Sequence, residues 1–311
     1  MPSDSRDHEP PPHDAETLTA DISPESAPVV EDFLQTTART NVAEDEALEA
    51  NAAKTGELEP YIAFEHVSKA FSSFVVLSDV SWFVNPGETL CILGRSGVGK
   101  SVSLQILMGF LRVDAGVVKV AGQDITQFTE EQLQQVRRKV TMVFQNGALF
   151  DSITVGENVA FPLRERAISG ESPMEEDQIL AITRGLLEMV GVAGLEDAFP
   201  SDLSTGMKRS VAIARALAAQ PGAVLYDEPT TMVDPLMAHL LGNLIQRLKQ
   251  QMKLTSIVVT HDVRFAEKLA DRVLFLHEGR ARFFGTLEEM RSSKDEVLCQ
   301  FVSMDELEMP C

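Results

Sequence analysis

Gly94-Arg95-Ser96-Gly97-Val98-Gly99-Lys100-Ser101 is the stretch on which the reading of this chain turns. It has the spacing G-x-x-x-x-G-K-S, follows the apolar run Leu90–Leu93 and opens a helical pattern, which is the setting a phosphate-binding loop needs. The glycines let the backbone curl so that several N–H groups converge on one anion. The new helix adds the positive end of its dipole to that nest. Lys100 is expected to reach the β- and γ-phosphates of a nucleoside triphosphate, and Ser101 to ligate Mg²⁺. A glycine turn that binds nothing is the alternative; strand, loop, Lys-Ser pair and helix together stand against it.

Downstream, Ala223-Val224-Leu225-Tyr226-Asp227-Glu228 reads as a buried strand ending in two carboxylates. Asp227 at the strand tip is expected to hold Mg²⁺ through water, and Glu228 to polarise a water in line with the γ-phosphate. Paired acids at a strand end are often only solvated turn residues, but here a phosphate loop precedes them. His261 closes another apolar run, Ser256–Thr260, and is placed to touch the γ-phosphate and orient Glu228. Strand-like runs are also found at Ile62–Val67, Val75–Val84, Thr89–Leu93, Val140–Phe144 and Arg272–Leu276. Helical patterns cover Lys100–Leu111, Glu130–Val140, Asp177–Val190 and Leu236–Met252, the last with apolar residues on one face. The later runs alternate strand with helix, the rhythm of a parallel sheet. Between about 146 and 205 the strand signal disappears, which marks a helical insertion.

These residues resemble the ATP-binding cassette family. Leu203-Ser204-Thr205-Gly206-Met207-Lys208-Arg209 is similar to its signature motif, and the motif order also agrees: phosphate loop, Gln145, signature, Asp227-Glu228-Pro229, Val233-Asp234, His261. The resemblance covers about residues 60–290. It implies an α/β fold: a P-loop NTPase core with a mixed, largely parallel sheet plus an α-helical subdomain. It implies ATP and Mg²⁺ as ligands, with Gln145 as a further magnesium contact and catalytic residue, and Phe71 stacked on adenine. Gly94 to Val102 and Asp234 are the other expected nucleotide contacts. Members hydrolyse ATP between two subunits packed head to tail, so Ser204 and Gly206 would serve the partner's γ-phosphate. Three positions depart from the pattern: Thr205 replaces a glycine, Met232-Val233 replaces Gly-Leu, and Val102 replaces a hydroxyl residue. Thr205 is expected to crowd its loop.

Within the family, Phe144–Leu163, Pro200–Arg209 and Leu276–Met290 look like the ATPases of Mla/Mce-type lipid transporters. That implies a membrane permease and an MCE-domain lipid-binding protein as partners. An amino-acid-type importer and a soluble regulator without a permease are the competing readings.

The totals narrow the field further. The chain has 311 residues and a formal net charge of −20. A nucleic-acid binder would show a basic face, so nucleic acid is not an expected partner. The same acidity repels an anionic bilayer, and no apolar run reaches the length a spanning helix needs. Attachment to the inner face of the cell membrane is therefore expected through the permease. Three distant cysteines fit a reducing cytoplasm. Residues 1–58 hold 14 Asp/Glu against 3 Lys/Arg, six prolines and one aromatic, Phe33. That composition predicts a disordered tail, with a short helix allowed around Ala43–Ala53. The cassette is expected over 59–290 and a short C-terminal extension over 291–311.

Overall fold

The computed structural model describes residues 27–55, 59–170 and 172–307. In chain order its elements are α1 (Ala27–Thr55), β1 (Ile62–Phe71), β2 (Phe74–Val84), β3 (Thr89–Leu93), α2 (Lys100–Leu107), β4 (Ala115–Val120) and β5 (Gln123–Asp124). There follow α3 (Glu130–Lys139), β6 (Val140–Val143), α4 (Val155–Ile168), α5 (Glu176–Met189), α6 (Thr205–Ala218) and β7 (Ala223–Asp227). The chain continues through α7 (Pro235–Met252), β8 (Thr255–Thr260), α8 (Val263–Leu269), β9 (Arg272–His277), β10 (Arg280–Thr286), α9 (Leu287–Ser292) and α10 (Glu296–Leu307).

Two sheets result. One is antiparallel with strand order β2-β1-β4-β5; the other runs β10-β9-β3-β8-β7-β6, parallel throughout except for β10. The central strands β3 and β8 are buried at every position, because both faces of a parallel sheet are covered. Their side chains alternate between two cores. Leu90 and Ile92 pack with Leu104 and Leu107 of α2, while Cys91 and Leu93 join the cluster formed by α4 to α8. Helix starts are written into the sequence: Thr129 with Gln132 and Thr154 with Glu157 form capping boxes at α3 and α4. Ser204 and Asp234 cap α6 and α7 with their side-chain oxygens.

The mixed sheet and the helices of the insertion are as expected. The N-terminal segment is a correction in part. Residues 1–26 of the expected tail lie outside the described residues, but Ala27–Thr55 is a helix, longer than the allowed Ala43–Ala53. Composition misleads here because one narrow stripe is enough. Val30, Phe33, Leu34, Thr37 and Asn41 follow helical spacing and are all buried. Each of the three apolar side chains contributes about 1.5–3 kcal/mol on burial. The helix lies against α5 and α7.

Candidate functional site

The parallel strands deliver the site. β3, β8, β7 and β6 end at Leu93, Thr260, Asp227 and Val143, so the four segments that follow converge at one end of the sheet. The loop after β3 closes on α2 through Gly99, whose φ of 108° lies in the region that side chains avoid. A Cβ there would stand 2.8 Å from Leu77 and 3.0 Å from the Val76 carbonyl. Gly99 caps α2 without a side-chain bond, which leaves the first amides of the helix directed at the loop.

A cavity of about 380 Å³ sits over this helix start, lined by Ser96, Gly97, Lys100, Gln145, Glu228 and His261 among others. Lys100 is buried and donates to the Gly94 and Arg95 carbonyls at 2.7 and 3.2 Å. Its ammonium also lies 3.2 Å from Glu228 Oε1. The other oxygen of Glu228 accepts from Thr231 Oγ1 at 3.2 Å and faces His261 Nδ1 at 2.8 Å. Glu228 has φ +48°, a left-handed conformation that turns its side chain off the strand end. Both carboxylate oxygens are thus oriented by named partners.

Ser101 Oγ donates to Asp227 Oδ1 at 2.8 Å. Burial raises the Asp227 carboxyl above its ordinary value, with the Ser101 hydroxyl and Lys100 opposing and Glu228 reinforcing the rise. A cation beside Asp227 would offset that desolvation. Ser101, Asp227 and the Gln145 amide form an all-oxygen set that suits Mg²⁺, an ion that takes few protein ligands and fills its shell with phosphate and water. Among the described residues no cluster of His, Cys, Asp and Glu forms a complete metal cage.

The remaining expected contacts divide between the cavity and other surfaces. Val102 lines the same cavity. Phe71 is 44% exposed at the tip of the β1–β2 hairpin, with Lys69 Nζ 5.5 Å from its ring centre, and it does not line the cavity. Ser204, Gly206 and Asp234 are at the starts of α6 and α7, outside the cavity lining. Thr205 is exposed at the first position of α6. Met232 stands 88% exposed with φ +61°, a backbone geometry natural to the glycine it replaces.

Two residues of the site were not read from the sequence. Thr231 bonds to the carboxylate of Glu228 and looks like any turn threonine. Arg209, buried in α6, donates to the carbonyls of Glu228, Pro229 and Thr231, so its guanidinium holds the turn that carries Glu228. Its position next to Lys208 in a helix suggests a solvated charge. Arg209→Met keeps most of the stem but frees three carbonyls. The expected cost is about 2 kcal/mol of stability together with about a ten-fold fall in ATP turnover. Thermal unfolding and steady-state phosphate release check this, and a variant with wild-type melting and turnover would remove Arg209 from the site.

A sequence model of the ABC transporter family matches residues 77–231. The intermembrane phospholipid transport system ATP-binding protein MlaF of Haemophilus influenzae is 37% identical over 228 residues, covering 73% of this chain and 84% of that protein. The probable amino-acid ABC transporter ATP-binding protein y4tH of Sinorhizobium fredii is 36% identical over 244 residues, with coverage of 76% and 93%. Among solved structures, the dimeric ATP-binding cassette MJ0796 bound to ADP and Pi matches with a TM-score of 0.67 and 28% identity, over 73% of this chain and 98% of that one. On these grounds the chain belongs to the ABC transporter family, as its ATP-binding and ATP-hydrolysing component.

Proposed function

We propose that the chain drives phospholipid transport across the cell envelope, as a head-to-tail dimer bound to a membrane permease that works with an MCE-domain lipid-binding protein. The observation that carries the lipid reading is the likeness of Phe144–Leu163, the stretch that opens the helical insertion, to the lipid-transport ATPases, and the 37% identity to MlaF supports it. Among the described residues no helix is long and apolar enough to cross a membrane. Contact with the inner face of the membrane would therefore run through the permease.

In the proposed cycle the triphosphate lies along Gly94–Ser101 with the adenine on Phe71. The incoming γ-phosphate takes Lys100 over from Glu228, which leaves the carboxylate free to act as a base. Ser101, Asp227 and Gln145 would hold Mg²⁺, which supplies charge neutralisation at the phosphates. Glu228, oriented by His261 and Thr231, accepts a proton from water as the water oxygen bonds to the γ-phosphorus. The bond to the bridging oxygen breaks, and ADP and phosphate remain. Ser204 and Gly206 of the second subunit cap the same phosphate, so the dimer closes on ATP and opens after hydrolysis.

Import of amino acids is the second reading, and the 93% coverage of y4tH favours it. Mild-detergent purification of the tagged chain from its native membranes, with mass spectrometry of proteins and lipids, separates the two. A permease arriving with an MCE-domain protein and phospholipid is the outcome expected. A permease of amino-acid type, or none, would overturn the lipid assignment.

A further inference from the structure

Helix α1 fastens the far ends of two helices whose near ends carry expected site residues. α6 starts after Ser204 and α7 starts after Asp234; with 14 and 18 residues they extend roughly 21 and 27 Å. Just past the end of α6, Gln220 Nε2 donates to the Phe33 carbonyl at 3.3 Å and to Thr37 Oγ1 at 3.0 Å. At the end of α7, Asn41 Nδ2 donates to the Met252 carbonyl at 2.9 Å, an acceptor that the helix itself leaves unpaired. The apolar stripe of α1, Val30, Phe33 and Leu34, joins the core cluster that α5 shares, which gives a third hold. The near ends of the two helices also touch: a Cβ on Gly206 would lie 2.5 Å from Met237 Cε. Two helices in contact at one end and tied together at the other have a fixed splay.

That splay sets where the Ser204–Gly206 turn stands relative to the turn running from Glu228 to Asp234. Arg209, itself on α6, grips the second turn through the Glu228, Pro229 and Thr231 carbonyls, so the two turns move as their helices move. We infer that α1 is a positioning strap for ATP hydrolysis: Asn41 and Gln220, without touching nucleotide, hold the α6–α7 splay at which both turns engage the two nucleotides of the closed dimer. The inference rests on the head-to-tail reading above. α1 lies outside residues 77–231 and its hydrogen bonds go to the strand-start end of the sheet, opposite the phosphate loop. Nucleotide affinity therefore does not depend on it, whereas assembly of the shared site does.

Asn41→Leu with Gln220→Met, made in the full chain, keeps side-chain size and removes both donors. Phe33→Asp frees the strap by a different route. In either variant kcat falls about three- to ten-fold with KM for ATP unchanged, as a change in coupling predicts. The ATP-dependent dimer of the Glu228→Gln background weakens by a similar factor, and amide exchange quickens at 204–208 and 231–237. Unchanged kcat and dimer affinity in Phe33→Asp would overturn the strap, as would a rise in KM with kcat intact. If the wild-type chain formed no ATP-dependent dimer, the head-to-tail reading would fail instead. Exchange at the two turns then still decides the strap, since unaltered rates in both variants would overturn it.

Discussion

Glu228→Gln is expected to lower ATP turnover by about 10²–10⁴-fold while ATP stays bound and the chain accumulates as a dimer. The substitution is close to isosteric. Thr231 Oγ1 still finds an oxygen to donate to, and His261, 2.8 Å away, keeps a polar partner. What disappears is the ability to take a proton from the attacking water. The amide also ends the ion pair with Lys100, now 3.2 Å from the carboxylate, so the lysine is free for the γ-phosphate and binding does not suffer. Hydrolysis is what releases the closed dimer in the proposed cycle, so blocking it traps the closed form. Size-exclusion chromatography at saturating ATP, with nucleotide content measured in the peak, reads both effects. An ATP-free monomer under those conditions would count against Glu228 as the base and against the head-to-tail dimer.

The part of the candidate site that lines the cavity is legible in the sequence because its chemistry is local. The phosphate loop lies within eight consecutive residues, and the run read over 223–228 exceeds β7, Ala223–Asp227, only by Glu228, which turns off the strand end. β3 likewise matches Thr89–Leu93, since a strand buried on both faces is an uninterrupted apolar run. β10 gives no such signal: Arg280–Thr286 begins by alternating arginine with apolar residues and lies at the sheet edge, paired with β9. α1 is hidden by averaging, because the buried stripe that runs from Val30 to Asn41 is embedded in acidic, polar sequence. Arg209 and Thr231 were hidden for a third reason. Their partners are backbone carbonyls and a carboxylate brought near by the turn after β7, and no spacing rule in one sequence encodes that meeting.

Lys100→Ala is expected to act on the same turnover from the opposite side, lowering it by about 10²–10³-fold while abolishing the ATP-dependent dimer. Lys100 does two things in the structure. It ties the loop to itself through the Gly94 and Arg95 carbonyls, at 2.7 and 3.2 Å, and it places a buried positive charge in the cavity. Alanine removes the charge that the γ-phosphate would meet and leaves the Glu228 carboxylate without its cation, so the pocket becomes repulsive to a polyanion. Affinity for ATP therefore falls together with turnover, whereas in Glu228→Gln the two separate. The pair of variants distinguishes a lysine that binds phosphate from one that only neutralises Glu228. If Lys100 served only the carboxylate, Lys100→Ala combined with Glu228→Gln would regain ATP binding, because nothing charged would be left to neutralise. If it binds the phosphate, the double variant stays monomeric at saturating ATP, and equilibrium binding of a fluorescent ATP analogue shows the loss directly. Wild-type turnover in Lys100→Ala, measured in the full complex, would remove the phosphate loop from the mechanism altogether.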